Sequence, residues 1–525
     1  MPCTAHRFSA LLAAALFASI PAAASERAVG ETSRSQREAP QAFKHARYPE
    51  ARVARVTYRE MSLDRLLKLQ RESTSSHGGP TRIGIARRAS AESDAPAVAA
   101  LHWVAAPGGT VARLELHSRD ALALRVGLRP DVLDDRVELR FAGSDAPGRV
   151  VAAMSGREIN ALRGADGVFW TPSTDGETQL IEIFRPDAVP SGAVQVATPM
   201  LSHLVTNSRN DFKMIEKIGE SGSCNVDTSC RIAELGPRFV DAKNAVAHMQ
   251  YVRGGSTYIC TGTLLADTDP ATQVPYFYTA NHCFATGTGA PVASQMQEVA
   301  STLNTFWNYE ATSCSSGVAT PRTQLSGGAA YLYSDSGTDA MLLRLNDAAP
   351  PGAFFAGWTA APLQGGSAVL AIHHPRGDAK KVSSGEHVSS SGTLHRVGWR
   401  SGTTEGGSSG SALFTLGAAG YELRGGLYGG AASCANAASF SNPSNRDEYS
   451  RFDVVFPSIR HHLAAVPVPL NGSQPLVPPT AEAASVSSAS AVETATPRSA
   501  VGTTRFPRPA SRPRAGTPRE SAPRF

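Results

Sequence analysis

The chain has little net charge, few cysteines and only one long apolar run, and each shortage excludes a class of function. Its 525 residues carry 50 Lys and Arg against 45 Asp and Glu, a formal net charge of +5. No segment concentrates the basic residues, so we expect no nucleic-acid partner. No stretch after the first 24 residues is apolar over the length of a membrane span, so we expect no membrane partner. No two cysteines have CxxC spacing, so we expect no metal site and no cofactor.

The cysteines occupy only part of the chain, and their distribution suggests a domain boundary. Cys3 precedes the first apolar run, whereas residues 25–217 contain no cysteine at all. The six others are Cys224, Cys230, Cys260, Cys283, Cys314 and Cys434. An even number in an exported chain predicts three disulfides, although spacing alone leaves the pairing open.

The first 24 residues have the layout of a secretory signal. His6 and Arg7 precede an apolar run from Phe8 to Ile20, and Pro21–Ala24 offers a small-residue cleavage site. The run is too short to span a bilayer comfortably. The sequence therefore predicts a secreted, extracellular protein.

The rest of the chain divides into three regions by pattern. Residues 25–217 contain a helical stretch near 58–70 and a β-rich part at about 98–190, where apolar and polar residues alternate as in a small antiparallel domain. Residues 218–465 are rich in Gly, Ser, Thr and short apolar runs, which favours an all-β barrel fold with long loops and a closing helix near 455–464. Residues 466–525 are rich in Pro, Ala, Ser and Arg and are predicted to be disordered.

Three short motifs in the 218–465 region suggest nucleophilic catalysis. His282 follows a strand-like run, Asp339 precedes another, and Ser409 lies in the glycine-flanked stretch 407–411. The order His, Asp, Ser is that of the chymotrypsin-type triad, in which the carboxylate orients the imidazole and the imidazole activates the hydroxyl. Gly407 would leave its N–H free to form an oxyanion hole with the N–H of Ser409. Asp335 is a nearby competitor, but an apolar strand follows Asp339 and not Asp335.

The sequence resembles the trypsin-like serine endopeptidases, and within them the bacterial lysyl endopeptidases. The resemblance covers about 218–460 and rests on the three motifs and on further segments at 221–227, 261–265, 306–309, 371–375 and 425–434. It implies a two-barrel chymotrypsin-like fold and cleavage of peptide bonds through an acyl-enzyme. It also implies the disulfides Cys224–Cys434, Cys230–Cys314 and Cys260–Cys283. The chain as a whole is then expected to be all-β, with a mostly β propeptide at 25–217 before the protease domain.

The resemblance also implies a specificity pocket. It places Asp447 at the bottom of the primary pocket, where a carboxylate would pair with a substrate Lys or Arg. Tyr428 and Gly429 belong to the strand along which the substrate backbone would lie. Position 403, where many trypsins have the pocket aspartate, is a threonine, so Asp447 must act from another loop. The expected partners are protein or peptide substrates and the chain's own propeptide, and the expected state is a monomer.

Two positions depart from the family pattern. In the lysyl branch, a histidine beside the active site stacks on a tryptophan. Here Tyr428 takes the place of that histidine, and Trp399 matches a different position of the family and not that tryptophan. The preference for Lys over Arg therefore stays open. Ser408 stands where trypsins have an aspartate, so a freed N-terminal amine cannot form the usual activating ion pair with it. Cleavage after Lys217 would suit a basic-specific enzyme that processes itself.

Three other readings remain. An α/β esterase would use the order Ser409, Asp453 and His461, but its elbow requires glycine where position 411 is serine. A secreted protease-like module could bind peptides without cleaving them, and a serine endopeptidase could have a non-basic preference. The adjacent His373 and His374 would point to opposite faces of a strand, so we interpret them as structural and not as metal ligands.

Overall fold

The computed structural model describes residues 26–37, 39–75, 79–93, 100–209, 220–287, 289–437 and 439–463. The predicted signal peptide, the Lys217–Ile218 junction and the predicted disordered tail lie outside these residues. Within the described ranges, no helix is both long enough and apolar enough to cross a membrane.

Residues 26–209, the N-terminal region, are mostly strands. The strands are β1 Arg27–Ala28, β2 Glu31–Thr32, β3 Ala54–Tyr58, β4 Thr81–Arg82, β5 Gly84–Arg88, β6 Val104–Ala106, β7 Gly109–Ser118, β8 Ala123–Leu133, β9 Glu138–Gly143, β10 Ala152–Ser155, β11 Phe169–Trp170, β12 Thr174–Asp175, β13 Thr178–Pro186 and β14 Val194–Leu204. The helices are α1 Leu63–Ser75, α2 Ala89–Glu92 and α3 Gly156–Ala161, with 3-10 turns at Glu50–Arg52 and Ser191–Ala193.

Two sheets of the N-terminal region enclose a core of their own. One sheet has the order β10-β9-β13-β7-β3 with β6 beside β7, and the other has the order β11-β8-β14-β5 with β12 beside β8. Leu114 and Ile181 of the first sheet and Val126 and Leu201 of the second are all buried in one cluster. The mostly β character is confirmed, and the strand pairs within about 98–190 are antiparallel. The domain extends beyond that range in both directions, to β14, which ends at Leu204, and to β3, which pairs with β7 in parallel.

Residues 220–463, the C-terminal region, supply the remaining elements. The strands are β15 Val226–Asp227, β16 Val246–Arg253, β17 Ser256–Leu265, β18 Tyr276–Ala280, β19 Asn304–Trp307, β20 Thr323–Leu325, β21 Ala329–Asp335, β22 Ala340–Leu345, β23 Phe354–Phe355, β24 Gly357–Thr359, β25 Ala368–His373, β26 Lys381–Ser391, β27 Leu394–Ser401, β28 Ala412–Leu416, β29 Tyr421–Gly430 and β30 Arg446–Ser450. The helices are α4 Ile232–Leu235, α5 Pro237–Asn244, α6 Asn281–Phe284, α7 Ala293–Ala300 and α8 Phe452–Leu463, with 3-10 turns at Thr228–Cys230 and Pro375–Gly377.

The C-terminal region is built from two curved sheets. In one of them each strand pairs with the next in the order β25, β26, β27, β30, β29, β28, and the pairing of β28 with β25 closes the ring into a six-stranded barrel. The other sheet has the order β20-β19-β16-β17-β18-β22-β21. Apolar residues of both sheets and of α8, including Phe277, Leu342, Phe414 and Phe456, form a single buried core. Helix α8 ends at Leu463, close to the closing helix predicted from the sequence.

Three disulfides fasten the C-terminal region. They join Cys224 to Cys434, Cys230 to Cys314 and Cys260 to Cys283, which is the pairing that the family resemblance implies. The first ties the beginning of the region to the barrel across a separation of 210 residues. Closing a loop of that length removes much of the freedom of the unfolded chain and stabilises by roughly 5 kcal/mol in the chain-entropy model.

Short strands of the N-terminal region extend the sheets of the C-terminal region. β1 pairs with β24, β2 with β23 and β4 with β17. Arg125 is fully buried, and its guanidinium donates to the carbonyl of Thr302 at 2.7 Å. The hydroxyl of Thr257 donates to that of Ser202 at 2.8 Å. The two regions therefore pack along an interface that includes the edge of β17.

Candidate active site

The positions of His282 and Asp339 follow from one strand pairing. β18 and β22 are antiparallel with Ala280 opposite Ala340, so the residues that leave β18 lie beside those that enter β22. The N–H of Asn281 donates to the carbonyl of Asp339 at 2.9 Å, and the N–H of His282 donates to Oδ1 of Asp339 at 2.9 Å. Two residues that are 57 positions apart in the sequence, His282 and Asp339, are thereby brought into direct contact.

Asp339 holds the imidazole in one orientation. His282 Nδ1 lies 2.7 Å from Asp339 Oδ2, and because the carboxylate can only accept, Nδ1 carries the proton. Asp339 is 5% exposed and has a left-handed backbone (φ 57°), a conformation that aspartate tolerates better than most residues. His282 Nε2 is buried and has no hydrogen-bond partner among the described residues, so this nitrogen is the one free to accept a proton.

Ser409 lies in a turn that is fixed on several sides. The N–H of Thr261 donates to the Ser409 carbonyl at 2.9 Å, and the N–H of Gly410 donates to the carbonyl of Leu427 at 2.8 Å. Gly410 has φ 80°, and a Cβ there would overlap Thr279 Oγ1. Only glycine satisfies both the backbone angle and the close approach.

The serine turn and the histidine are neighbours in space. The sulfur of Cys283, the residue after His282, lies 3.9 Å from the carbonyl oxygen of Ser409. Ser409 Oγ makes no hydrogen bond with Nε2; pairs of this kind are often long before substrate binds and shorten when it does. The turn that carries Ser409 thus lies beside the imidazole and its carboxylate, an arrangement that suits a serine acylated with histidine as base.

The N–H of Gly407 points away from its own turn. Gly407 has φ 92°, and its carbonyl accepts from Thr261 Oγ1 at 2.9 Å. Its N–H donates to the carbonyl of Gly79 in the N-terminal region at 3.4 Å. The N–H of Ser409 makes no hydrogen bond within the described part of the chain. Both amides are therefore available to a substrate oxygen once Gly79 has left.

Asp447 is buried near the start of β30, and its two carboxylate oxygens differ in their hydrogen bonding. Oδ2 accepts from Trp399 Nε1 at 2.6 Å and from Thr404 Oγ1 at 2.8 Å. Oδ1 has no hydrogen-bond partner in the described ranges. Burial raises the pKa of Asp447, and the hydrogen bonds from Trp399 and Thr404 and the backbone N–H of Ala432 partly oppose that effect. A Cβ at Gly430 would overlap both Oδ1 and the Arg446 carbonyl, so only glycine lets β29 pass this close to the carboxylate.

Tyr428 and Gly429 lie on β29, next to both the serine turn and Asp447. The carbonyl of Leu427 is held by Gly410, and Gly430 is opposite Asp447. Tyr428 is 45% exposed, and its ring meets the His282 ring edge-on at 6.2 Å between centroids. The structure therefore brings together the residues predicted as triad, oxyanion hole and pocket.

The competing residues are placed elsewhere. Asp335 accepts the N–H of Thr338 at 2.7 Å and does not reach His282. Asp453 pairs with Arg451 at 2.6 Å, and His461 packs against His462, so the esterase arrangement with Ser409 is not formed. No group of three or more potential metal ligands occurs in the part of the chain that the structure describes.

His373, which the sequence suggests is structural and not a metal ligand, contacts the serine turn. Its Nδ1 lies 2.8 Å from the hydroxyl of Ser408, the residue before Ser409, and its Nε2 lies 3.1 Å from the hydroxyl of Ser383. Burial lowers the pKa of His373 to about 3. The sequence carries no signal for these contacts, because Ser383 and Ser408 lie 10 and 35 residues away.

Comparison with known proteins supports the same class. Residues 218–450 match the family model described as lysyl endopeptidase, C-terminal domain, and residues 57–205 match the lysyl endopeptidase N-terminal domain. The chain is 35% identical over 407 residues to a lysyl endopeptidase of Pseudomonas aeruginosa, which covers 74% of this chain and 82% of that protein.

Two solved structures are also similar. They are the Rv3671c protease of M. tuberculosis in its active form (15% identity, TM-score 0.29, 44% of this chain and 87% of that one) and a thermostable serine protease, AL20, from an extremophilic microorganism (15% identity, TM-score 0.28, 41% and 93%). These TM-scores are too low to contribute to the assignment, which rests on the sequence matches.

The fold and these matches define a serine endopeptidase of the trypsin-like class. More narrowly, the chain belongs to the lysyl endopeptidase family.

Proposed function

We propose that this protein is a secreted endopeptidase that cleaves after Lys or Arg, with His282, Asp339 and Ser409 as its triad. Nε2 of His282 takes the proton of Ser409 as the hydroxyl attacks the substrate carbonyl, and the N–H groups of Gly407 and Ser409 stabilise the oxyanion. The imidazolium then protonates the leaving amine, and water hydrolyses the acyl-enzyme by the same steps in reverse order. No cofactor or metal is needed for this chemistry.

The specificity proposal rests on one observation, the unpartnered buried oxygen of Asp447. A buried polar atom without a partner is costly, and a cationic side chain that enters the pocket would satisfy Oδ1 with a charge-assisted hydrogen bond. A neutral side chain would leave it unsatisfied. The name of the Pseudomonas aeruginosa relative agrees with this preference.

We further propose the domain boundaries and the route of export. Residues 1–24 form the signal, 25–217 the propeptide, 218–465 the protease domain and 466–525 a tail, and the mature enzyme acts as a monomer on protein or peptide substrates. The signal-like N-terminus and three disulfides fit an oxidising extracellular compartment. The match of residues 57–205 to a separate N-terminal domain supports the propeptide.

Digestion of an unbiased peptide library by the processed enzyme tests the preference. We expect cleavage after Lys, Arg or both, and no cleavage with Ser409→Ala enzyme purified in parallel. Cleavage after other residues would favour an endopeptidase of non-basic specificity, and no cleavage together with no labelling of Ser409 by a serine-directed inhibitor would favour a binding module.

Self-processing has a separate test. If the enzyme cuts its own chain after Lys217, a Ser409→Ala chain expressed alone should remain joined across Lys217–Ile218, and addition of active enzyme should release it. N-terminal sequencing of the products identifies the bond. Efficient cleavage of the Ser409→Ala chain expressed alone would argue against self-processing.

A further inference from the structure

The cleft beside Ser409 already holds a segment of the N-terminal region. The Gly79 carbonyl accepts from the N–H of Gly407, which is the proposed oxyanion donor. The chain then continues through Pro80 into β4, where Thr81 is opposite Ile259 and Arg82 is opposite Tyr258 of β17.

Strand β17 leads directly to the reacting groups. Cys260, next after Ile259, is bonded to Cys283 beside His282, and the N–H of Thr261 holds the Ser409 carbonyl. A chain whose carbonyl lies at Gly407 and whose next residues pair with β17 has the polarity of a substrate. Its acyl carbon would be that of Gly79, and its leaving nitrogen that of Pro80.

We propose that residues 79–82 occupy the cleft as a substrate-like segment that the enzyme does not hydrolyse, with the Gly79 carbonyl at the oxyanion donor and residues 80–82 on the leaving-group side. The N-terminal region is therefore the natural partner of this surface. The inference rests on the proposed roles of Gly407 and Ser409. It extends them by naming which part of the N-terminal region occupies the site.

Three features of the segment oppose cleavage. Gly79 has no side chain with which to reach Asp447, so no contact in the specificity pocket stabilises the transition state for cleavage at this bond. The nitrogen of Pro80 lies in a ring, which restricts its approach to the general acid. The leaving strand is held by β17 and by the hydrogen bond from Ile83 N–H to the Thr257 carbonyl at 2.9 Å, so an acyl-enzyme would re-form the bond before water enters.

The experiment changes the two residues that prevent cleavage. In the full chain, Gly79→Lys with Pro80→Ala supplies a pocket residue and an open-chain leaving nitrogen, and a Cβ at position 79 meets no described atom within 4 Å. We expect mass spectrometry to find this chain cut between 79 and 80, at a rate independent of protein concentration. The wild-type N-terminal region should stay intact at this bond after processing.

The control variant places a lysine in the N-terminal region at a position outside the segment that occupies the cleft. Gly148, also in the N-terminal region, likewise has no described atom within 4 Å of an added Cβ, so cleavage in Gly148→Lys should depend on concentration. If the double variant releases active enzyme and stays intact between 79 and 80, this inference is wrong while the proposed function stands. If neither chain yields active enzyme but both are folded, the proposed function itself has failed.

A second inference comes from the contacts of His373. The carbonyl of Thr403 can only accept, so the hydroxyl of Ser383 donates to it at 2.8 Å and must accept from His373 Nε2–H. Nδ1 therefore accepts from the Ser408 hydroxyl. Ser408 Oγ in turn accepts the N–H of Glu405 at 3.3 Å.

This chain of hydrogen bonds fixes the residues before the nucleophile. It runs in one direction from the N–H of Glu405 to the carbonyl of Thr403, and both Ser408 and His373 are fully buried. We infer that His373 is a positioning residue that holds the Glu405–Ser409 turn in its active form through Ser408. An uncharged hydrogen bond between Ser408 and His373 thus takes the place of the ion pair between an amine and a carboxylate that trypsins use.

Two substitutions at position 373 separate positioning from folding. His373→Leu removes the acceptor, whereas the amide oxygen of His373→Asn can take the place of Nδ1. We expect His373→Leu to lower kcat about 10- to 100-fold, below the loss from removing an oxyanion donor outright, with KM changed less than about threefold. His373→Asn should recover part of kcat.

Two further variants test the route of the effect. His395→Leu removes another buried histidine, one bonded to Ser390 at 2.9 Å, and should affect stability but not kcat per folded enzyme. Ser408→Ala should cost about as much as His373→Leu, and the double variant little more, because both break one link. Fully additive losses, or an equal kcat loss in His395→Leu, would overturn the inference.

Discussion

Replacing Ser409 with alanine is expected to lower the rate of peptide hydrolysis by roughly 10⁵- to 10⁶-fold, because no other group in the cleft can form the acyl-enzyme. Some acceleration should remain, since the Gly407 and Ser409 amides still stabilise an oxyanion formed by attacking water. The measurement is kcat on a lysyl amide substrate with enzyme released from its N-terminal region.

The matched control for this change is Ser389→Ala. Ser389 is an exposed serine on β26, so its loss should leave kcat within about twofold. A second test is His282→Ala, whose loss should be similar in size and not additive with Ser409→Ala, because the two groups act as one unit. A Ser409→Ala enzyme with a tenth of the original activity would refute the proposed nucleophile.

Replacing Asp447 with asparagine is expected to lower kcat/KM for a lysyl substrate by about 10³-fold or more. The change removes the charge that would pair with the substrate ammonium, and leaves that ammonium buried without a counter-ion. Trp399 and Thr404 can still donate to the amide oxygen, so the pocket wall should keep its shape. Cleavage of a matched substrate with an uncharged residue should change much less, and that ratio is the quantity to measure.

Gly430→Ala tests the same pocket without removing the charge. The new Cβ would overlap Oδ1 of Asp447 and the carbonyl of Arg446, so the carboxylate has to move with the start of β30. We expect KM for the lysyl substrate to rise, while an active-site titrant that leaves the pocket empty should still react at Ser409. If the Asp447→Asn enzyme keeps its preference for Lys and Arg, the proposed pocket is wrong. That result would not bear on the proposed triad.

The three residues proposed as the triad could be picked out of the sequence because each motif has a local signature. A strand that ends before a histidine, a strand that begins after an aspartate and a serine between glycines are visible in the sequence. The pairing of Ala280 with Ala340 then brings the first two together. The disulfide pairing needed the family resemblance, since six cysteines allow several arrangements.

The contacts across the two regions could not be predicted from the sequence. β1, β2 and β4 are only two residues long, too short for alternation to reveal them, and β4 pairs with residues about 177 positions away. Their pairing depends on how whole sheets pack. The link from Ser408 to His373 likewise depends on the side-chain geometry of the buried β25 end, where a histidine is expected to be structural.

Covalent labelling of the processed enzyme with a serine-directed inhibitor, followed by peptide mapping, tests the central claim most directly. The account predicts one modified residue per molecule, Ser409, with activity lost in proportion to labelling and no labelling of a His282→Ala enzyme. Inactivation with Ser409 unmodified, or equally fast labelling without His282, would contradict it.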